Sequence, residues 1–346
     1  MSTSVNLGGL ELKNPLILGS AGYTSSRAGI KNQLTRGYGA VVTKTVTPKA
    51  LEGAPSPRVF WYDPQERRLL SGAEALRNPG ADVIIDAVRE FADLAKSEDC
   101  KIIGSCTANT KEEIIDICQR FEDAGASAVE LNLVCPATGP HLGPDYAHLA
   151  KWWVTDYDRA ADLLNSVKAS INVPLFAKIN LEVLLDRRFM AMLDEKARPD
   201  AYSFVGGRMP NLTIDIATGK PVFPGNLNLR MEKEMPISPM CTGPVKPSTI
   251  LHTAYFAKLT STPLVCAGGL SKGTDVLEAI MAGASAVQVS TVVYREGNEA
   301  GRRMLAELNQ AMEQYGYNDL EAIRGTVLSS LPEPPLFTVP GAKGFD

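Results

Sequence analysis

Short apolar runs alternate with helical periodicity along the whole chain. Pro15-Leu16-Ile17-Leu18, Ala40-Val41-Val42-Thr43-Lys44, Lys101-Ile102-Ile103-Gly104-Ser105 and Ala128-Val129-Glu130-Leu131-Asn132-Leu133 each read as a strand. So do Pro174-Leu175-Phe176-Ala177-Lys178, Ala201-Tyr202-Ser203-Phe204-Val205, Pro263-Leu264-Val265-Cys266-Ala267 and Ala286-Val287-Gln288-Val289-Ser290-Thr291. Between them, apolar spacing predicts helices over about 27–36, 81–96, 110–124, 156–170, 182–196, 247–260, 273–282 and 297–315. The apolar face of helix 81–96 reads Val83, Ile84, Ala87, Val88, Phe91 and Leu94. That of helix 110–124 reads Ile114, Ile117, Cys118 and Phe121. Pro136 cannot continue a ladder, so the fourth strand is expected to run up to it.

Eight such strand–helix pairs predict a (β/α)8 TIM barrel forming one domain over 1–346. A doubly wound sheet fits less well, because no G-x-G-x-x-G follows the first strand. Val5 to Leu12 predicts a small N-terminal hairpin. Two long excursions, rich in Pro and Gly, follow the second strand (46–80) and the sixth (206–246), and a Pro/Gly-rich tail covers 332–346.

Composition narrows the function. The net charge of -4, from 35 Lys plus Arg against 39 Asp plus Glu, gives no basic field for nucleic acid or a membrane surface. No apolar run approaches the ~20 residues that span a bilayer, and Met1 to Asn6 lacks a signal-peptide pattern. Six scattered cysteines without C-x-x-C argue against a disulfide scaffold, a structural zinc or an iron–sulfur cluster. A reduced, cytoplasmic compartment is the expectation.

In a TIM barrel the chemistry sits where strands end. Here those ends carry Ala21-Gly22, Lys44-Thr45, Asn109, Asn132, Lys178, Gly268-Gly269 and Ser290-Thr291. Glycines after the seventh strand and hydroxyls after the eighth expose backbone N–H groups to a phosphate. A lysine ending an apolar strand is costly unless it meets an anion or polar ring, or snorkels to water. Lys44 and Lys178 together point to an electron-rich, phosphate-bearing cofactor. Cys135, just past the fourth strand, reads either as an acid–base thiol or as a small buried hydrophobe.

Several motifs then line up in order. They include Asn14-Pro15, Gly19 to Gly22, Ala40 to Thr45, Pro57-Arg58, Asn78-Pro79-Gly80 and Glu130-Leu131-Asn132-Leu133-Val134-Cys135-Pro136. Pro174 to Lys178, Thr242-Gly243-Pro244-Val245-Lys246-Pro247, Ala267-Gly268-Gly269 and Gln288-Val289-Ser290-Thr291 continue the series. Together these resemble the dihydroorotate dehydrogenase family up to residue ~325. The resemblance implies FMN as cofactor. Its phosphate would lie on backbone near Gly243, Gly268, Gly269, Ser290 and Thr291. Its ring would meet Lys44, Asn132, Lys178 and Asn109, beside Ala21, Gly22 and Thr45. Cys135 falls where cytosolic members carry a cysteine base. The resemblance also implies oxidation of a C–C bond next to a carbonyl, dihydroorotate to orotate by default. It further implies a small-molecule substrate and a homodimer; with no nicotinamide motif and no cluster cysteines in this sequence, a partner subunit for electron transfer stays open.

The substrate positions depart from that pattern. The family's C-P-N reads Cys135-Pro136-Ala137, its N-x-x-G-L-x-N-x-G loop begins at Gly72, and its segment after strand six reads Val205-Gly206-Gly207-Arg208. Lost amides weaken a site that reads a substrate by hydrogen bonds, so a grip on dihydroorotate poorer than the family's is expected. Arg77 and Arg208 join Lys44 and Asn132 as substrate candidates, although an arginine on such a loop is commonly solvated. Rival readings are a reductase or dehydrogenase of another cyclic or conjugated carbonyl such as a dihydropyrimidine, a non-catalytic FMN-binding subunit, and a Schiff-base aldolase using Lys44 or Lys178.

Overall fold

The computed structural model describes residues 2–53, 59–61, 70–72, 76–133, 157–180, 193–205, 209–211, 214–215, 218, 220–221, 238–240 and 245–333. Eight parallel strands close into a barrel. They are β1 (Leu16–Leu18), β2 (Ala40–Val42), β3 (Lys101–Cys106), β4 (Ala128–Asn132), β5 (Leu175–Asn180), β6 (Ala201–Val205), β7 (Leu264–Ala267) and β8 (Ala286–Val289). Each pairs with the next in chain order, and β8 closes on β1 through Gln288 beside Ile17 and Val289 beside Leu18. The (β/α)8 expectation is therefore met.

The helices follow from their sequences. Ala81–Ser97 buries Ile84, Ile85, Ala87, Val88, Phe91 and Ala95. Val83, expected on that face, is instead 41% exposed, because the stripe that meets the barrel is centred on Ile84, Val88 and Phe91. Lys111–Asp123 starts with a capping box: Thr110 Oγ1 accepts from Glu113 N at 3.2 Å, and Thr110 N donates to Glu113 Oε2 at 3.2 Å. Its Ile114, Ile117, Cys118 and Phe121 are all buried, as their spacing predicts. Of helix 182–196 only the last turn, 193–196, lies among the described residues.

Strand ends differ from expectation at two places. β4 stops at Asn132 rather than running towards Pro136. Its neighbour β3 ends with Cys106 opposite Leu131, so one ladder runs out there. β8 stops at Val289, opposite the last residue of β1, and Thr291 opens a short helix, Thr291–Glu296. The final long helix then begins at Ala300 and runs to Tyr315.

The N-terminal hairpin pairs Val5–Leu7 with Leu10–Leu12 and buries Val5, Leu7, Leu10 and Leu12. Its turn residue Gly8, at φ +58°, packs against Asp200, where an added Cβ would lie 2.0 Å from the carbonyl oxygen. Asp200 precedes β6, so the hairpin sits at the N-terminal end of the barrel. The two excursions leave from the opposite end and meet each other. Met209–Asn211, Ser238–Met240, Leu70–Gly72 and Val59–Trp61 form one four-stranded sheet, in that order.

Packing is tight between barrel and helices. At Gly104 on β3 an added Cβ would come within 2.5 Å of the Phe121 ring. Gly104→Ala should therefore lower stability by about 1–3 kcal/mol, the usual cost of overpacking a core. Urea unfolding of the two proteins side by side measures it, and an unchanged midpoint would show that the ring moves aside freely.

Candidate active site

Polar side chains from seven of the eight strands, or the residues just past them, meet inside the C-terminal half of the barrel. Glu130 on β4 is fully buried. Its Oε1 accepts from Lys178 Nζ on β5 at 3.1 Å. Its Oε2 accepts from Ser203 Oγ on β6 at 2.8 Å and from Gln288 Nε2 on β8 at 2.6 Å. Gln288 Oε1 lies 3.4 Å from Lys178 Nζ, which closes the circuit. A buried carboxylate is tolerated only when paired and fully hydrogen-bonded, and this one is.

A second circuit sits beside the first. Thr45 Oγ1 receives Asn132 Nδ2 at 3.1 Å and lies 2.9 Å from Ser105 Oγ and 3.2 Å from Ser20 Oγ. Thr45 N donates to Ser20 Oγ at 2.8 Å. Asn132 and Lys178 are register partners on adjacent strands, so the two circuits share an edge. Lys44, 7% exposed, lies just past β2 with its backbone N–H on Thr24 O.

The rim is built from backbone. Gly268 and Gly269 follow β7 at φ +132° and +76°, values that an L side chain resists. Ser290 precedes the helix Thr291–Glu296, and both Ser290 and Thr291 are half-buried. The backbone N–H of Gly22 donates to Tyr294 Oη at 3.1 Å, tying the turn after β1 to the helix after β8. Ala21 is buried in that turn, and the Tyr23 ring lies 5.2 Å from that of Tyr294.

The structure thus gathers Ala21, Gly22, Lys44, Thr45, Asn109, Asn132, Lys178, Gly268, Gly269, Ser290 and Thr291 at one end of the barrel. Cys135, Gly243, Arg208, Ala137, Gly206 and Gly207 lie outside the described residues. Arg77 is exposed, between Leu76 and a buried Asn78. The Asn78 amide is engaged within the protein. Its Oδ1 accepts from Thr47 N at 3.2 Å and Gly80 N at 2.9 Å, and its Nδ2 donates to Leu76 O and Thr47 Oγ1. Glu130, Ser203 and Gln288 are not among the site residues that the strand ends and motifs predict. A glutamate inside an apolar strand was the available signal, since such a residue is almost never buried unless paired.

A family model described as "Dihydroorotate dehydrogenase" matches residues 2–312. The chain belongs to the dihydroorotate dehydrogenase family. Its members are FMN-dependent oxidoreductases that act on CH–CH groups. A relative from Thermoplasma volcanium, named dihydroorotate dehydrogenase B (NAD(+)), catalytic subunit, is 31% identical over 331 residues, 94% of this chain and 98% of that one. A relative from Lactobacillus helveticus, named dihydroorotate dehydrogenase A (fumarate), is 27% identical over 338 residues, covering 94% of this chain and 99% of the other. The crystal structure of an Eimeria tenella dihydroorotate dehydrogenase in complex with ferulenol shares the fold, with a TM-score of 0.73 at 20% identity over 96% of this chain and 89% of that one.

The donor set fits the family's cofactor. Two buried lysines and a buried asparagine at one barrel mouth suit the carbonyl- and nitrogen-rich edge of a flavin. The positive-φ glycines after β7 leave room for close backbone approach, as a phosphate group needs.

Four cysteines among the described residues, Cys100, Cys106, Cys118 and Cys266, are buried. Burial pushes the Cys100 and Cys266 thiols up to about 12, and Cys118 well above the ordinary range. Thiolate is the reactive form, so these groups should be inert in the folded protein. Titration of the native chain with an aromatic disulfide at pH 8 should therefore modify at most Cys135 and Cys241 quickly. Rapid modification of Cys266 or Cys100, read by peptide mapping, would contradict the packing.

Thr45 offers a second check. Thr45→Val removes the hydroxyl on which Asn132, Ser105 and Ser20 converge. Each buried group left unpartnered costs roughly 1–3 kcal/mol. Thermal unfolding should shift downward, and FMN should dissociate more readily because Asn132 loses its anchor.

Proposed function

We propose that this chain catalyses FMN-dependent oxidation of dihydroorotate to orotate, with Cys135 as the base. The observation that carries the reading is the convergence of Lys44, Asn132 and Lys178 on the C-terminal mouth of a barrel whose sequence matches the family from residue 2 to residue 312. FMN, when bound, supplies the hydride acceptor. The chain's own residues do the rest. Cys135 takes the proton from the carbon beside the carbonyl while the neighbouring carbon gives up its hydride, so two electrons and two hydrogens leave the substrate. A thiol has an ordinary pKa of about 8.5, close enough to neutral pH for general-base work. Lys178 and Asn132 bind the ring edge, Lys44 serves both ring and substrate, and Thr45, Ala21 and Gly22 line the turn beside them. Asn109 approaches from the loop after β3. Gly243, Gly268, Gly269, Ser290 and Thr291 offer the phosphate its backbone N–H groups.

A second reading concerns the substrate. The amide positions replaced by Gly72, Ala137 and Gly206 to Arg208 favour a cyclic dihydro-carbonyl compound other than dihydroorotate, with Arg77 or Arg208 gripping an acidic group. Anaerobic titration of the holoenzyme separates the two. Bleaching of the flavin by micromolar dihydroorotate supports the first; bleaching by another dihydropyrimidine or cyclic acid at far lower concentration supports the second.

The names of the Thermoplasma volcanium and Thermoplasma acidophilum relatives, both catalytic subunits of NAD(+) enzymes, support an electron-accepting partner chain rather than fumarate as the outlet. The same family reading supports a homodimer in the cytoplasm, and one FMN-binding domain over 1–346 with 332–346 as a tail. Among the described residues no helix is long and apolar enough to cross a membrane. Sedimentation of the purified holoenzyme, alone and after co-expression with neighbouring genes, measures the assembly.

Cys135→Ala should retain stoichiometric FMN but lose about 10²–10⁴-fold in the rate of flavin reduction by substrate, the range of a positioned acid–base group. Cys135→Ser should recover part of that loss, more at high pH. Full-rate reduction by the alanine variant would show that the thiol only packs.

A further inference from the structure

We propose that Glu130 is a positioning residue that holds Lys178 at the flavin edge and cancels its charge there, so that it sets the reduction potential of the bound cofactor. This rests on the reading above that Lys178 meets the flavin. A fully buried carboxylate is a costly choice in a barrel core that Gln or Met could fill, unless the charge itself has a use. Each Glu130 oxygen is engaged: Oε1 by Lys178, Oε2 by Ser203 and Gln288. Lys178 has a side chain only 10% exposed, and among the described residues its ion-pair partner is Glu130. Two of its three N–H groups are directed at Glu130 Oε1 and Gln288 Oε1, which leaves one for a ligand at the mouth.

The consequence has a sign. Reducing a flavin adds electron density to its ring, so an uncompensated cation beside the ring favours the reduced form. Glu130 sits 3.1 Å behind that cation and offsets it, in a setting where solvent screens little. The pair thus presents a hydrogen-bond donor with little net field. Ser203 and Gln288 keep the carboxylate from swinging towards the mouth. No proton need move, because the arrangement acts through charge and orientation.

The test is a redox titration of FMN-loaded enzyme against indicator dyes at pH 7. In Glu130→Gln the flavin should become easier to reduce by tenfold or more in the two-electron equilibrium, a rise of about 30 mV or more. The exchange Glu130→Gln with Gln288→Glu returns one carboxylate to the neighbour that already faces Lys178 Nζ. It should bring the equilibrium back within threefold of the parent. A merely structural role would not produce a signed shift that this exchange reverses. Lys178→Met tests the underlying reading, because losing the cation should make the flavin harder to reduce. If Lys178→Met shifts the equilibrium and Glu130→Gln does not, Glu130 has only a packing role and the proposal is wrong. If neither shifts it with FMN bound, Lys178 does not face the flavin, and both readings fail. Should Glu130→Gln not fold, Gln288→Glu alone decides: a second carboxylate facing Lys178 Nζ should make the flavin harder to reduce, and an equilibrium unchanged from the parent overturns the charge argument.

Discussion

A carboxylate with no access to water organises the middle of this barrel. Glu130 must be paired, so β5, β6 and β8 must each deliver a donor to the same small volume. That requirement constrains register. Lys178 stands beside Ser203 in the β5–β6 ladder and beside Asn132 in the β4–β5 ladder. A slip of one residue in any of these strands would turn its polar group outward into the helix layer. The polar core therefore specifies the barrel's alignment as strictly as the Val, Ile and Leu around it.

The circuit on Thr45 carries the same logic to the other strands. Ser20, Thr45, Ser105 and Asn132 come from the ends of β1 and β2 and from β3 and β4, joined through a single hydroxyl. Tyr294 then reaches back to Gly22 and links the end of β8 to the turn after β1. The groups proposed to touch the flavin are thus held by hydrogen bonds to one another and to Ser20, Ser105 and Tyr294. Rigid support of this kind keeps a ligand-binding side chain in one geometry, which matters more for catalysis than additional contacts do.

Much of this was legible along the chain. Eight apolar runs with helices between them gave the barrel, and the strand ends gave the rim. Ile114, Ile117, Cys118 and Phe121 face the core as their spacing demands. The misses have physical causes. Periodicity marks a stripe but not its centre, so Val83 belongs to the apolar stripe in sequence yet sits at its exposed edge in the fold. A proline marks where a strand must have ended, not where its neighbour stops pairing, so β4 ends at Asn132 and well short of Pro136. The excursions read as separate polar stretches, yet their short strands pair with each other over more than a hundred residues of sequence.

The sequence by itself determined the fold class, the family and the residue types at the barrel mouth, because these follow from local periodicity and from ordered motifs. Tertiary structure alone decided which polar groups share a partner. Glu130 and Gln288 are separated by 158 positions, and Asn132 and Thr45 by 87, yet each pair lies within hydrogen-bonding distance. Burial turns such proximity into necessity: an unpaired glutamate can stay in water at a surface but not among closed strands. Sequence shows a charged residue in an apolar run. Only closure of the barrel shows what neutralises it.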